Sequence, residues 1–270
     1  MCYIITVKKH RNGDKKMTEK TILILADGMR RDAPDACGSV FAKKFKEISV
    51  YRRERTVMPS VTLPCHMSLF HSVDPTRHGV LTNVYTPPVH PVTGLFELLK
   101  NREKTCTYYY SFELLRDIGS PGALALSIFN DFYVYEHVDR KLTAQCIANT
   151  KEDKPDFVFL YLGEPDETGH KYGYMGKEYL ESVRDAWDNI KCVFDAFKDE
   201  YNIIVTADHG GHDRIHGHDI PEDMEIASYM YGEVFKNCVD REISIIDLAP
   251  TIAKVYGIKA PHEWDGESLI

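Results

Sequence analysis

Apolar residues along this chain gather in short continuous runs, separated by longer stretches in which apolar and polar positions alternate with a helical period. Thr21–Ala26 (Thr-Ile-Leu-Ile-Leu-Ala) and Asp156–Leu162 (Asp-Phe-Val-Phe-Leu-Tyr-Leu) are nearly unbroken, the pattern of central parallel strands covered on both faces. Ile203-Ile204-Val205 is a shorter β-branched run and predicts a strand over 202–206. Ile48–Val57, broken off by Met58-Pro59-Ser60, and Thr105–Tyr110 read as further strands. Apolar positions at 180, 183, 187, 190, 193, 194 and 197 predict a helix over Gly176–Asp199 packed on the sheet. Shorter helices are expected at Gly94–Lys100, Glu136–Ala148 and Ser244–Gly257, the last stopped by its glycine. Another should begin near Pro64, with Thr62 just ahead of it, where a plain N-cap would also sit. Val73–Pro91, with Asp74-Pro75, His78-Gly79, Asn83 and Pro87-Pro88, reads as a surface loop returning toward the strand ends. Alternating strands and helices of this kind predict an α/β fold: a mostly parallel central sheet flanked by helices on both faces.

Composition narrows the picture. The 270 residues, 43% hydrophobic, fit one large domain over 20–270, with residues 1–19 as an N-terminal arm or added edge strand because 8–20 are polar and charged. A net charge of −8 argues against general nucleic-acid binding. A small anionic substrate would then need local positive charge, most economically from metal ions. Seven cysteines (Cys2, Cys37, Cys65, Cys106, Cys146, Cys192 and Cys238), an odd number without a Cys-x-x-Cys pair, predict reduced thiols and a cytoplasmic location. Met1–Val7 is apolar but short, and Lys8, Lys9, His10 and Arg11 follow it instead of a small-residue cleavage site; neither a signal peptide nor a membrane span is expected.

Candidate chemistry clusters where the strands end. Thr21–Ala26 runs into Asp27-Gly28, and the strand at Asp156–Leu162 runs into Gly163-Glu164-Pro165-Asp166-Glu167-Thr168-Gly169-His170. Asp166 and His170, four residues apart, would share one face of a helical turn or reach one ion from a tight loop. The strand at 202–206 runs into Asp208-His209-Gly210-Gly211, followed by His212, His216 and His218. A polar loop with solvated histidines would account for this last stretch alone. In a parallel sheet, however, all three strand ends meet on one edge, and mixed carboxylate and imidazole ligands there suit zinc, with manganese second.

Taken in order, Asp27-Gly28, Thr62-x-Pro64, His78-Gly79 with Asn83, Asp166-x-x-x-His170, Asp208-His209-Gly210 and His216-Gly217 resemble the alkaline phosphatase superfamily, most closely its nucleotide pyrophosphatase/phosphodiesterase (type I phosphodiesterase) branch. Asp247-Leu248-Ala249-Pro250-Thr251 and Asp265-Gly266-Glu267-Ser268-Leu269 also look like its C-terminal region. The resemblance implies two divalent metal ions, one held by Asp166, His170 and His216, the other by Asp27, Asp208, His209 and the Thr62 hydroxyl. It implies hydrolysis of small phosphate esters, phosphodiesters or nucleotide pyrophosphates, through a phosphothreonine on Thr62, with Asn83 holding a phosphoryl oxygen. The charges of two such ions are balanced by the three aspartates and an ionised Thr62. One departure stands out: only six residues separate His209 from His216, where those enzymes carry a much longer insertion, and His212 or His218 could replace His216 as ligand. A phosphomonoesterase, phosphonate hydrolase or phosphomutase would need an extra cation, for which Arg30, Arg31 or Arg214 could serve. Sulfatases share the fold, but Thr62-x-Pro64-x-His66 stands where they carry Cys-x-Pro-x-Arg, and threonine cannot form their aldehyde nucleophile. Cys65 as a nucleophile lacks an identifiable base. A silent metal-binding interaction protein would have no use for Thr62.

Overall fold

The computed structural model describes residues 18–84, 86–87, 91–120 and 122–270. The expected N-terminal arm lies almost wholly outside them. Eight strands, β1 (Thr21–Ala26), β2 (Val50–Arg55), β3 (Cys106–Tyr110), β4 (Leu126–Phe129), β5 (Phe157–Leu162), β6 (Asn202–Thr206), β7 (Glu225–Tyr231) and β8 (Ile243–Ser244), form one sheet in the order β4-β3-β5-β1-β6-β7-β2-β8. The half from β4 to β6 is parallel throughout, and β7 runs antiparallel to both β6 and β2. The fold is thus mostly parallel, as the unbroken apolar runs predict: every residue of β1, β5 and β6 is buried.

Register explains how both faces are filled. Phe159 of β5 lies opposite Leu23 of β1, Leu23 opposite Ile204 of β6, and Ile204 opposite Met230 of β7, so Tyr229 and Tyr231 point to the other face. On the first face Phe159 packs with Phe70 and Tyr108, and Phe96 joins them. On the second, Tyr229 meets Trp187, and Tyr231 meets Phe194, both from the helix Lys177–Phe197. Burying aromatic rings on this scale is the main stabilising contribution of the core.

Three expectations are corrected. Ile48 closes a helix, Val40–Ile48, so β2 is shorter than Ile48–Val57. Thr62 does not cap the helix: Val61 is the N-cap and Thr62 is the first residue of Thr62–His71. The loop over 73–91 contains a helical turn, Pro75–His78, capped by Asp74. No helix among the described residues is long and apolar enough to cross a membrane.

Candidate metal centre and active site

Ala26 pairs with Leu162, and Leu25 with Thr206, so β1, β5 and β6 end together and deliver Asp27, Gly163 and Asp208 to one edge. Asp208 Oδ1 accepts the N–H groups of Gly28 (3.2 Å) and His209 (2.9 Å), which fixes the carboxylate against the end of β1. Gly28 has a φ of +63°, and a Cβ there would lie 2.6 Å from Asp166 Oδ1. Glycine is what lets the β5 side of the site approach the β1 side.

The first group surrounds His209 Nε2. Thr62 Oγ1 lies 3.3 Å from it, and Asp27 Oδ1 and Asp208 Oδ2 each 3.4 Å. His209 Nδ1 sits 2.8 Å from the Gly210 carbonyl, which can only accept, so Nδ1 carries the proton and Nε2 presents its lone pair inward. Asp27 Oδ1 and Asp208 Oδ2 are buried without a hydrogen-bond partner among the described residues. Burial raises the Asp27 carboxyl well above its usual range, and the charges of Asp208 and Asp166 raise it further; burial also raises Asp208.

The second group surrounds Asp166 on the helix Glu164–Tyr172, so the four-residue spacing to His170 is helical. His170 Nε2 lies 3.2 Å from Asp166 Oδ2, and His216 Nε2 3.9 Å from Oδ1. Both imidazoles again give Nδ1–H to a backbone carbonyl, His170 to Arg214 (2.9 Å) and His216 to Ser60 (2.8 Å). Burial pushes Asp166 up, but the His170 hydrogen bond and the neighbouring imidazoles hold it below the usual carboxylate range; the same hydrogen bond raises His170 to about 9. The groups adjoin: His209 and His216 stack with centroids 3.8 Å apart, and Asp27, Asp166 and His209 also converge.

These residues fit divalent cations. Two carboxylate oxygens and an imidazole lone pair facing one another repel unless a proton or a metal cation joins them. Three imidazoles oriented by Nδ1–H to backbone carbonyls show the outer hydrogen bonding that metal-binding histidines use. The nitrogen and oxygen donor set suits zinc.

Asn83 Oδ1 accepts the Leu63 N–H at 3.0 Å, which makes its Nδ2 amide the end left for a ligand. The helix start offers less to an anion than its position suggests. Leu63's N–H is spent on Asn83, Pro64 has none, and Cys65's closes on Val61 O at 3.0 Å. Several residues singled out by sequence lie elsewhere. His78 is buried, accepting the Val80 N–H on Nδ1 and bonding Ser68, so His78-Gly79 shapes the turn. Cys65 is buried and its thiol is pushed up by burial, the reverse of a nucleophile. His212 and His218 turn away from Asp166 toward Asp223. Arg30 is paired with Asp32 and Arg31 with Glu225, whereas Arg214 makes no salt bridge among the described residues.

The structure adds Tyr161 and Tyr174, which the sequence reading passed over, and brings His66, noted there only within the Thr62-x-Pro64-x-His66 motif, against the site. Tyr161 donates to Asp27 Oδ2, Tyr174 donates to Asp166 Oδ1, and His66 Nδ1 lies 2.8 Å from Thr62 O and 3.5 Å from Asp208 Oδ2. Tyr161 was detectable: a phenol inside the apolar run of β5 needs a polar partner. The Tyr174 N–H also donates to Asp213 O at 2.8 Å, and its ring occupies the space beside Gly211, where a Cβ would come within 2.3 Å of it.

A mostly parallel sheet with carboxylates and imidazoles at three strand ends defines an alkaline-phosphatase-like fold. A sequence model of the type I phosphodiesterase/nucleotide pyrophosphatase family matches residues 21–104 and 106–231, and the chain belongs to that family. It is 26% identical over 221 residues to human ectonucleotide pyrophosphatase/phosphodiesterase family member 1, a match covering 72% of this chain and 24% of that protein. The chain therefore spans about a quarter of that relative's length. Among solved structures, murine ectonucleotide pyrophosphatase/phosphodiesterase 5 superposes with a TM-score of 0.74 at 14% identity, covering 91% of this chain and 97% of that one. A 2-O GAG sulfatase gives 0.69 at 14% identity, covering 93% of this chain and 73% of its own.

Proposed function

We propose that the chain is a single-domain, metal-dependent hydrolase of phosphate esters, most suited to phosphodiesters or nucleotide pyrophosphates, with Thr62 as its nucleophile. The observation that carries this reading is the position of Thr62 Oγ1, 3.3 Å from His209 Nε2 and beside the unpartnered oxygens of Asp27 and Asp208. Family membership supports the reaction class, and the murine structure is of an inactive threonine-to-alanine variant in complex with AMP.

Asp166, His170 and His216 would hold one divalent ion, and Asp27, Asp208, His209 and Thr62 the other, with zinc preferred to manganese. When bound, such ions supply Lewis acidity to phosphoryl oxygens and lower the pKa of an adjacent hydroxyl. Thr62 Oγ1, once ionised, attacks phosphorus; the Oγ1–P bond forms as the bond to the leaving group breaks, and water later cleaves the phosphothreonine. Asn83 Nδ2 donates to a non-bridging oxygen, its orientation set by Leu63. Tyr161 and Tyr174 keep Asp27 and Asp166 turned inward. The odd number of cysteines, seven, supports a cytoplasmic location.

Purified protein assayed with bis-p-nitrophenyl phosphate, p-nitrophenyl phosphate, a nucleotide pyrophosphate and p-nitrophenyl sulfate should hydrolyse the diester or pyrophosphate fastest, and chelation should abolish turnover. Sulfate turnover alone overturns the reading. Faster turnover of the monoester would instead assign Arg214, without a salt bridge among the described residues, to the second phosphate charge.

A further inference from the structure

Two imidazoles outside the catalytic groups converge on one carboxylate. Asp223, fully buried in the helical turn Pro221–Met224, has His212 Nδ1 at 2.7 Å from Oδ1, and on Oδ2 the His218 N–H at 2.9 Å with His218 Nδ1 at 3.7 Å. No lysine or arginine among the described residues pairs with it, and the two imidazoles and the His218 N–H are what face it there. A buried carboxylate is costly without such compensation. The imidazole rings meet edge to face with centroids 5.1 Å apart, and one donor atom from each of the three residues lies within 4.8 Å of the others.

We propose that His212, His218 and Asp223 form a third metal site, separate from the catalytic pair, for a divalent cation of the zinc class. Zinc–ligand distances of about 2.0–2.1 Å place tetrahedral donors about 3.3 Å apart. His212 Nδ1 lies 2.7 Å from Oδ1 and His218 Nδ1 3.7 Å from Oδ2, so each imidazole already faces one oxygen of the carboxylate at a separation near that spacing. With the His218 side chain 56% exposed, solvent can complete the coordination. The site's role is to brace the short segment that replaces the longer insertion of related enzymes. Asp223 O accepts the Gly210 N–H at 2.8 Å and Glu222 O the Gly211 N–H at 2.9 Å, directly after His209, while His218 follows His216 by two positions. An ion held there ties both ends of the segment that presents His209 and His216.

The test is zinc content, by elemental analysis after equilibration in zinc buffer, of the wild type and His218→Ala, with folding checked by circular dichroism. The variant should hold one equivalent fewer and lose part of the thermal stabilisation that zinc gives the wild type, while still hydrolysing its substrate. The same difference should persist on an Asp208→Asn background, so the result is independent of the catalytic reading. Zinc should also shield His212 and His218 from diethyl pyrocarbonate in the wild type with a single half-saturation point, a readout that survives if the variant fails to fold. Equal zinc content in folded wild type and variant, or labelling of both histidines unchanged by zinc, overturns the proposal.

Discussion

At the scale of single residues the site depends on which atom each side chain turns inward. His170, His209 and His216 all spend Nδ1 on a backbone carbonyl and so present Nε2 to a carboxylate. Thr62 is the one hydroxyl among the seven residues assigned to metals, and its contribution to holding an ion is smaller than that of an aspartate or imidazole. Thr62→Ala should therefore keep the fold and most of the metal while turnover falls by several orders of magnitude; Thr62→Ser, which loses only a methyl, should retain a measurable fraction. Mass spectrometry after acid quench should find phosphate on Thr62 of the wild type. Near wild-type turnover by the alanine variant would mean that water attacks directly. The order of these residue types along the chain made them legible in the sequence. The choice among histidines was harder, since only the glycine after His216 favours it over His212 and His218. The carbonyl of Ser60, 156 residues away, separates His216 from the pair that turns to Asp223.

At the scale of elements, β1, β5 and β6 were readable because strands buried on both faces must be apolar along their whole length. β7 was not. Its sequence Glu-Ile-Ala-Ser-Tyr-Met-Tyr places Ala227 and Ser228 in the core, and Ser228 is tolerated there only because it bonds Glu54 of β2. β4, four residues with alternate positions open to solvent, is too short for its period to register. The helix Glu164–Tyr172 and the segment after β6 interlock through Tyr174, which gives a prediction at this scale. Gly211→Ala puts a Cβ within 2.3 Å of the Tyr174 ring and must displace it. Forcing atoms into packed space typically costs about 1–3 kcal/mol. The variant should melt several degrees lower and lose activity beyond what its unfolded fraction explains, because Asp166 loses the phenol that orients it. An unchanged melting temperature and rate would show that Tyr174 moves without consequence.

For the molecule as a whole, Glu54 sets a pH dependence. It is buried on β2 beside β7, with Thr206 donating to Oε2 at 2.6 Å and Oε1 without a partner among the described residues. Burial pushes its carboxyl from 4.5 up to about 7 against hydrogen bonds from Ser228 and Thr206, with the charge of Asp247 adding to the rise. The folded protein thus holds this proton more tightly than the unfolded chain. The stability it contributes is full below about pH 4.5 and is lost as pH rises through about 7. A shift of this size corresponds to about 3 kcal/mol. Glu54→Gln should flatten the fall in urea midpoint between pH 5 and pH 8 relative to wild type; parallel curves for the two proteins would remove Glu54 as the cause.

The Tyr174 ring also bears on whether this centre can be moved to another scaffold. Its N–H reaches Asp213, its hydroxyl reaches Asp166, and its face fills the space left by Gly211, so two stretches far apart in sequence are fitted to one aromatic side chain. Grafting either stretch alone would bring half of a lock without its key. The transferable unit is the pair 163–174 and 208–218 together with the strand ends that space them, and recombination between relatives should yield active chimaeras only when both come from the same parent.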